Sequence, residues 1–210
     1  MSKTILLFPG GFKPFHDGHL SILESHIFNI DKVFIDEVHL YISYKNRDNI
    51  TADTSLWFLN NIKSKLNKFY NTNIIPQISD IPSPIGKCYN DVSSNLNNDK
   101  FCIVSSNKGN DIERKKSFVN SYAIGGKYYK EDKGEQTVFI NANIEPTYYT
   151  DRYDEFNNNP ISSTIVRKDI DEQNYKNFRT SYEYMLSNNI VDEELLQEYY
   201  KKLIKLNNNT

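Results

Sequence analysis

The chain has 210 residues, 38% hydrophobic and 25% charged, and a formal net charge of -2. That length is enough for one sizeable α/β core with a helical appendage, and one domain is the default. The near-neutral charge gives no field for nonspecific nucleic-acid binding, and no basic patch with interleaved aromatics occurs. Cys88 and Cys102 lack CxxC spacing, so neither a disulfide framework nor a zinc site is implied. No apolar run approaches the length of a bilayer span, and the Met-Ser-Lys start enters a strand within a few residues, which predicts a cytoplasmic protein.

The first predicted element is a strand over residues 5–8, a short apolar run of the kind that fills a buried parallel sheet. It runs into Pro9-Gly10-Gly11-Phe12-Lys13-Pro14-Phe15-His16-Asp17-Gly18-His19, after which Leu20, Ile22, Leu23 and Ile27 fall at helical spacing. A loop between strand and helix offers free backbone N–H groups and the positive end of a helix dipole, and both attract an anion. Gly10 and Gly11 are expected to let a ligand approach the main chain, with His16 and His19 projecting onto the same phosphates. The spacing is neither GxGxxG nor GxxxxGK[ST], so ordinary dinucleotide binding and P-loop hydrolysis are not indicated. Metal binding by the two histidines lacks a third ligand at a useful spacing, since only His26 and His39 remain.

Further along, strands are predicted over 38–43, 74–78, 101–105 and 137–140, with helices over 54–69 and 111–119. This βαβα order predicts a Rossmann-like parallel sheet with helices on both faces. Ligands of such sheets sit beyond the carboxyl ends of the strands, which makes Ser43, Lys45 and Arg47, and Ser105, Lys108 and Asp111, candidate substrate-binding residues. Asn clusters at 95–98, 157–159 and 207–209 read as loops and a frayed end.

Pro160 precedes Ile161-Ser162-Ser163-Thr164-Ile165-Val166-Arg167, a Ser/Thr cluster opening an apolar-periodic run, as at a helix N-terminus. Ser163 and Arg167 are four apart and Thr164 and Arg167 three apart, so hydroxyl and guanidinium share one helix face and can meet one phosphate. From about Ser162 the pattern stays helical, ending in Val191, Leu195, Leu196, Tyr199 and Leu203, which predicts a C-terminal helical cap. The expected organisation is an α/β domain over 1–170 and a helical extension of it over 171–210.

GGFKPFHDGH resembles the GRFQPFHxGH and GTFDPxHxGH loops of the HxGH nucleotidylyltransferase superfamily, and ISSTIVR matches that superfamily's ISSTxxR motif, in the same order and about one domain apart. The segments SYKNRDNITADTSLWF, SDIPSPIGKCYNDV and SNKGNDIERKKSF are similar, at lower specificity, to phage-encoded proteins labelled cytidylyltransferase-like; the biased composition suggests an A/T-rich phage as source and a host cytoplasm as location.

The resemblance implies transfer of a nucleoside monophosphate from a triphosphate to a phosphorylated acceptor, with release of pyrophosphate and no covalent intermediate. It implies His16, His19, Lys13 and Arg167 as catalytic residues, and Pro9, Gly10, Gly11, Phe12, Gly18, Ser162, Ser163 and Thr164 as nucleotide-binding residues. Phe12 and Phe15 are expected to pack the loop rather than stack on a base. Lys13 departs from the commonest pattern and adds a positive charge beside the triphosphate or acceptor. Mg²⁺ is expected to arrive with ATP rather than in a protein-built cage. The form of both motifs resembles nicotinamide (or nicotinate) mononucleotide adenylyltransferases, so ATP and a mononucleotide acceptor are expected. A cytidylyltransferase acting on a phosphorylated alcohol or polyol, and a non-catalytic nucleotide-binding viral module, are the alternatives. The expected partners are small molecules, with no nucleic acid and no membrane; a homo-oligomer is open.

Overall fold

The computed structural model describes residues 3–29, 34–95, 97, 99–104, 111–129, 131, 138–139 and 161–207. Its centre is β1 (Thr4–Gly10), a strand buried on both faces because its apolar residues are continuous rather than alternating. Leu6 and Phe8 enter one hydrophobic cluster and Ile5 and Leu7 the other. Around it lie β2 (Glu37–Ile42), β3 (Asn73–Ile78), β4 (Lys100–Ile103) and β5 (Val138–Phe139), all parallel, in the order β3-β2-β1-β4-β5. The predicted Rossmann-like sheet is therefore present. Of the predicted strand ends, Ser105, Thr137 and Ile140 lie outside the described residues.

Helices α1 (Asp17–Asn29) and α2 (Ala52–Tyr70) supply Leu20, Leu23, Phe58, Leu59, Ile62 and Leu66 to the first cluster. Thr51 caps α2 by accepting from the Thr54 N–H, and Asn71 ends it in a left-handed conformation. The opposite cluster holds Cys88 and Val92 from α3 (Pro84–Ser94) and Phe118 from α4 (Asp111–Asn120). Helix α3 has no counterpart among the sequence expectations. Its N-cap Ser83 makes no side-chain capping bond, it contains Gly86, and it buries only Cys88 and Val92, so few apolar residues mark it in the sequence.

The C-terminal helices are α5 (Ser163–Asp171), α6 (Tyr175–Thr180), α7 (Glu183–Ser187) and α8 (Glu193–Asn207). They join the α1–α2 side: Val166, Ile170, Phe178, Tyr182, Met185, Leu196, Tyr199 and Leu203 share the first cluster. The Phe58 and Tyr199 rings stack at 4.1 Å. No helix among the described residues is long and apolar enough to cross a membrane.

Because β1 is flanked by β2 and β4, and the chain crosses to the other face between β3 and β4, the strand order reverses at β1. The loop after β1 thus opens at the position where parallel sheets leave a crevice for ligands.

Candidate active site

The loop after β1 turns sharply at Phe12, whose φ of 50° lies in the left-handed region. That strain is held by tertiary contacts. The Ser55 hydroxyl of α2 donates to the Phe12 carbonyl at 2.7 Å, and the Phe12 ring packs edge-on against Phe8 at 4.9 Å. A Cβ on Gly10 would stand 2.5 Å from that ring. The Phe12 ring thus requires a residue without a Cβ at position 10, whereas at Gly11 a Cβ would meet nothing within 4 Å.

The turn delivers His16 and His19 to one place, with ring centroids 4.0 Å apart. His19 lies over Phe15 at 5.5 Å and against the edge of Phe12 at 5.0 Å, so both phenylalanines pack the loop as expected. The Gly18 N–H donates to His16 Nδ1 at 3.1 Å. A backbone N–H can only donate, so Nδ1 accepts, and the neutral ring carries its proton on Nε2. Nε2 lies 3.2 Å from the Ser163 hydroxyl. Gly18 itself sits where a Cβ would touch the His16 ring and the Ile161 carbonyl, each at 3.0 Å.

Ser162 caps α5 by accepting from the Ile165 N–H at 3.4 Å, as its sequence context predicts. Arg167 then points back along its own helix: one terminal nitrogen donates to the Thr164 hydroxyl at 3.2 Å, and the other to the Lys13 carbonyl at 3.1 Å. Residues 147 to 154 positions apart are thereby joined, His16 to Ser163 and Lys13 to Arg167.

Two known proteins align with the chain over most of their length. The chain is 31% identical over 165 residues to the phosphopantetheine adenylyltransferase of Mycoplasma capricolum subsp. capricolum, a match spanning 78% of this chain and 94% of that protein. It is also 31% identical over 163 residues to the phosphopantetheine adenylyltransferase of Mycoplasma mycoides subsp. mycoides, spanning 77% and 93%. The chain belongs to the HxGH nucleotidylyltransferase superfamily. No family model matches it. The relationship to these two adenylyltransferases makes the chain an ATP-dependent adenylyltransferase, and the histidine pair and α5 N-terminus are the parts of this nucleotidylyltransferase where the two superfamily motifs meet.

In this nucleotidylyltransferase Lys13 is 2% exposed, and its ammonium donates to the carbonyls of Ser43 and Lys45 beyond the end of β2. Its charge binds the strand-end loop to the histidine loop. Burial, and then the Arg47 charge, push its pKa from 10.5 down to about 8. Between those values the unfolded chain holds the proton more tightly than the folded one, so this residue's contribution to stability rises as pH climbs from about 8 to 10.5. Urea unfolding across that range should show wild type gaining on Lys13→Met by at most about 3 kcal/mol. A pH-independent difference between the two proteins would contradict a buried, titrating Lys13.

The other strand-end candidates divide. Ser43 is half-buried and contributes its carbonyl to Lys13, while Lys45 and Arg47 are exposed beside the loop. Asp111 forms an ion pair with Lys115 at 3.8 Å within α4. Ser105, Lys108 and Pro160 lie outside the described residues. Pro9 is half-buried near the end of β1.

Three residues at the site escaped the sequence reading. Ser55 holds Phe12; its signal was a small polar residue on the otherwise apolar face of α2. Asp48 pairs with Arg167 Nε at 2.5 Å from a turn in which Asp48 and Asn49 both have positive φ and Arg47 and Ile50 exchange backbone hydrogen bonds. That Asp-Asn turn is legible in sequence as a tight reversal, but its ionic partner 119 residues away is not. Asp17 is the third, with its carboxylate bonded to the backbone of Tyr184 and Met185 in α7.

Proposed function

We propose that the protein transfers AMP from ATP to the phosphate of phosphopantetheine. An acceptor phosphate oxygen forms a bond to the α-phosphorus as the bond from that phosphorus to the bridging oxygen of the β-phosphate breaks, and pyrophosphate leaves. The observation that carries this reading is the junction of the two motifs: His16 meets His19 and Ser163, and Arg167 meets Thr164, beside the loop at which the strand order reverses. The relatives' name supplies the acceptor.

In this reading the imidazoles of His16 and His19 meet the α- and β-phosphates, and Thr164 with Arg167 the β- and γ-phosphates. No protein nucleophile is needed, because alignment and stabilisation of charge on the equatorial and leaving oxygens supply the rate. The Nε2–H of His16 is a donor already turned toward α5. Mg²⁺ would arrive with the triphosphate and would neutralise charge there; chelation by EDTA is expected to stop turnover and added Mg²⁺ to restore it.

The motif forms favour a second acceptor, nicotinamide or nicotinate mononucleotide, for which the relatives' names give no support. Purified protein given ATP with phosphopantetheine, ATP with nicotinamide mononucleotide, or CTP with either, and assayed for pyrophosphate, separates the readings. Release requiring ATP and phosphopantetheine is expected. Release only with the mononucleotide would replace the acceptor, and release from CTP would overturn the adenylyl donor.

A further inference from the structure

The variable position inside HxGH is occupied here by Asp17, and its surroundings point away from the nucleotide. Asp17 is 3% exposed, and its carboxylate faces the start of α7. Oδ2 accepts the Tyr184 N–H at 2.7 Å and Oδ1 accepts the Met185 N–H at 3.2 Å. These are the second and third residues of α7, where backbone N–H groups lack partners within the helix. The helix's own N-cap residue, Tyr182, makes no side-chain capping bond, so the cap comes from a residue 167 positions away. In return the Asp17 N–H donates to the Ser181 carbonyl at 3.0 Å.

We propose that Asp17 is a positioning residue through which the C-terminal helices set the geometry of the histidine pair. Asp17 lies between the two groups that define the His16 ring: His16 itself and Gly18, whose N–H donates to Nδ1. Three hydrogen bonds to 181–185 fix the Asp17 side chain and the peptide unit between His16 and Asp17. The His16 carbonyl in turn accepts the His19 N–H at 2.9 Å, which passes the constraint to the second histidine. The walls of this contact are rigid, since Ser181, Tyr182 and Met185 are fully buried in the core cluster or beside it. Loosening the clasp frees the ring orientation and the tautomer, which matter at the transition state more than in the first encounter with ATP.

The inference rests on the histidines acting on the nucleotide's phosphates, and two readouts keep its failure separate from that of the proposed acceptor. Asp17→Asn keeps the shape but turns one acceptor into an amide facing an N–H. It is expected to lower kcat about tenfold or more while KM for ATP moves less than about threefold. ¹⁵N NMR of the imidazoles, which needs no acceptor, should show His16 leaving a single Nε2–H form. Tyr184→Phe removes the side-chain bond from Tyr184 to Glu24, 2.8 Å long, and keeps the backbone donor to Asp17; it should lower Tm with kcat within about twofold of wild type. If Asp17→Asn does not fold, Asp17→Glu must show the same split. A lowered Tm with unchanged kcat and unchanged His16 signals would make the clasp purely structural and overturn the proposal.

Discussion

Replacing His19 by alanine is expected to lower kcat about 10²-fold or more while KM for ATP changes far less. The ring lies 4.0 Å from that of His16, between the faces and edges of Phe15 and Phe12, so its orientation is preset before any ligand arrives. A donor held in that way gives little to a ground-state phosphate and more to the charge that builds on its oxygens during transfer. Steady-state kinetics with pyrophosphate detection would check this, alongside a thermal melt, since the change also opens a gap against Phe12 and Phe15. A kcat within about threefold of wild type would remove His19 from the chemistry.

The second large effect is expected at Arg167. The side chain is buried, at 6% exposure, and its guanidinium is shared among the Lys13 carbonyl, the Thr164 hydroxyl and the Asp48 carboxylate. Truncation to alanine leaves those acceptors without their donor and removes the positive charge expected beside the β- and γ-phosphates. We expect kcat/KM for ATP to fall by roughly 10²- to 10³-fold and stability to fall by about 1–3 kcal/mol. Arg167→Lys is the informative companion: it restores a charge but not a planar fork able to reach three acceptors at once. It should recover less than about tenfold of the lost kcat/KM, measured with urea denaturation to separate folding from function. Full recovery by lysine would mean that a point charge suffices and that the contacts to Lys13 and Asp48 are incidental.

Particular residues mark the boundary between what was legible in the chain and what was not. The alternation of apolar runs placed β1 to β4 within one or two residues, and the Ser/Thr cluster at 162–164 marked the start of α5. Helix α3 was hidden because it buries few apolar side chains. Gly10 was legible as a glycine of a phosphate loop but not as the seat of the Phe12 ring, since the left-handed turn that brings the ring back depends on Ser55 from another helix. Lys13 read as a charge offered to substrate; in the fold its ammonium is bound to the carbonyls of Ser43 and Lys45.

By itself, the order of residues determined the class of chemistry and the α/β sheet: a strand, a glycine-bearing loop with HxGH and a later ISSTxxR are local patterns, and hydrophobic periodicity acts over a few residues at a time. Only the tertiary structure decided how those patterns meet. It aligned His16 with Ser163, turned Arg167 toward Lys13 and Asp48, and set Asp17 against the start of α7. These contacts span 119 to 168 positions, and a hydrogen bond or ion pair leaves no local mark in the sequence of either partner. Their formation depends on burial of the α1–α2 face of the sheet, which brings the C-terminal helices back over the first loop.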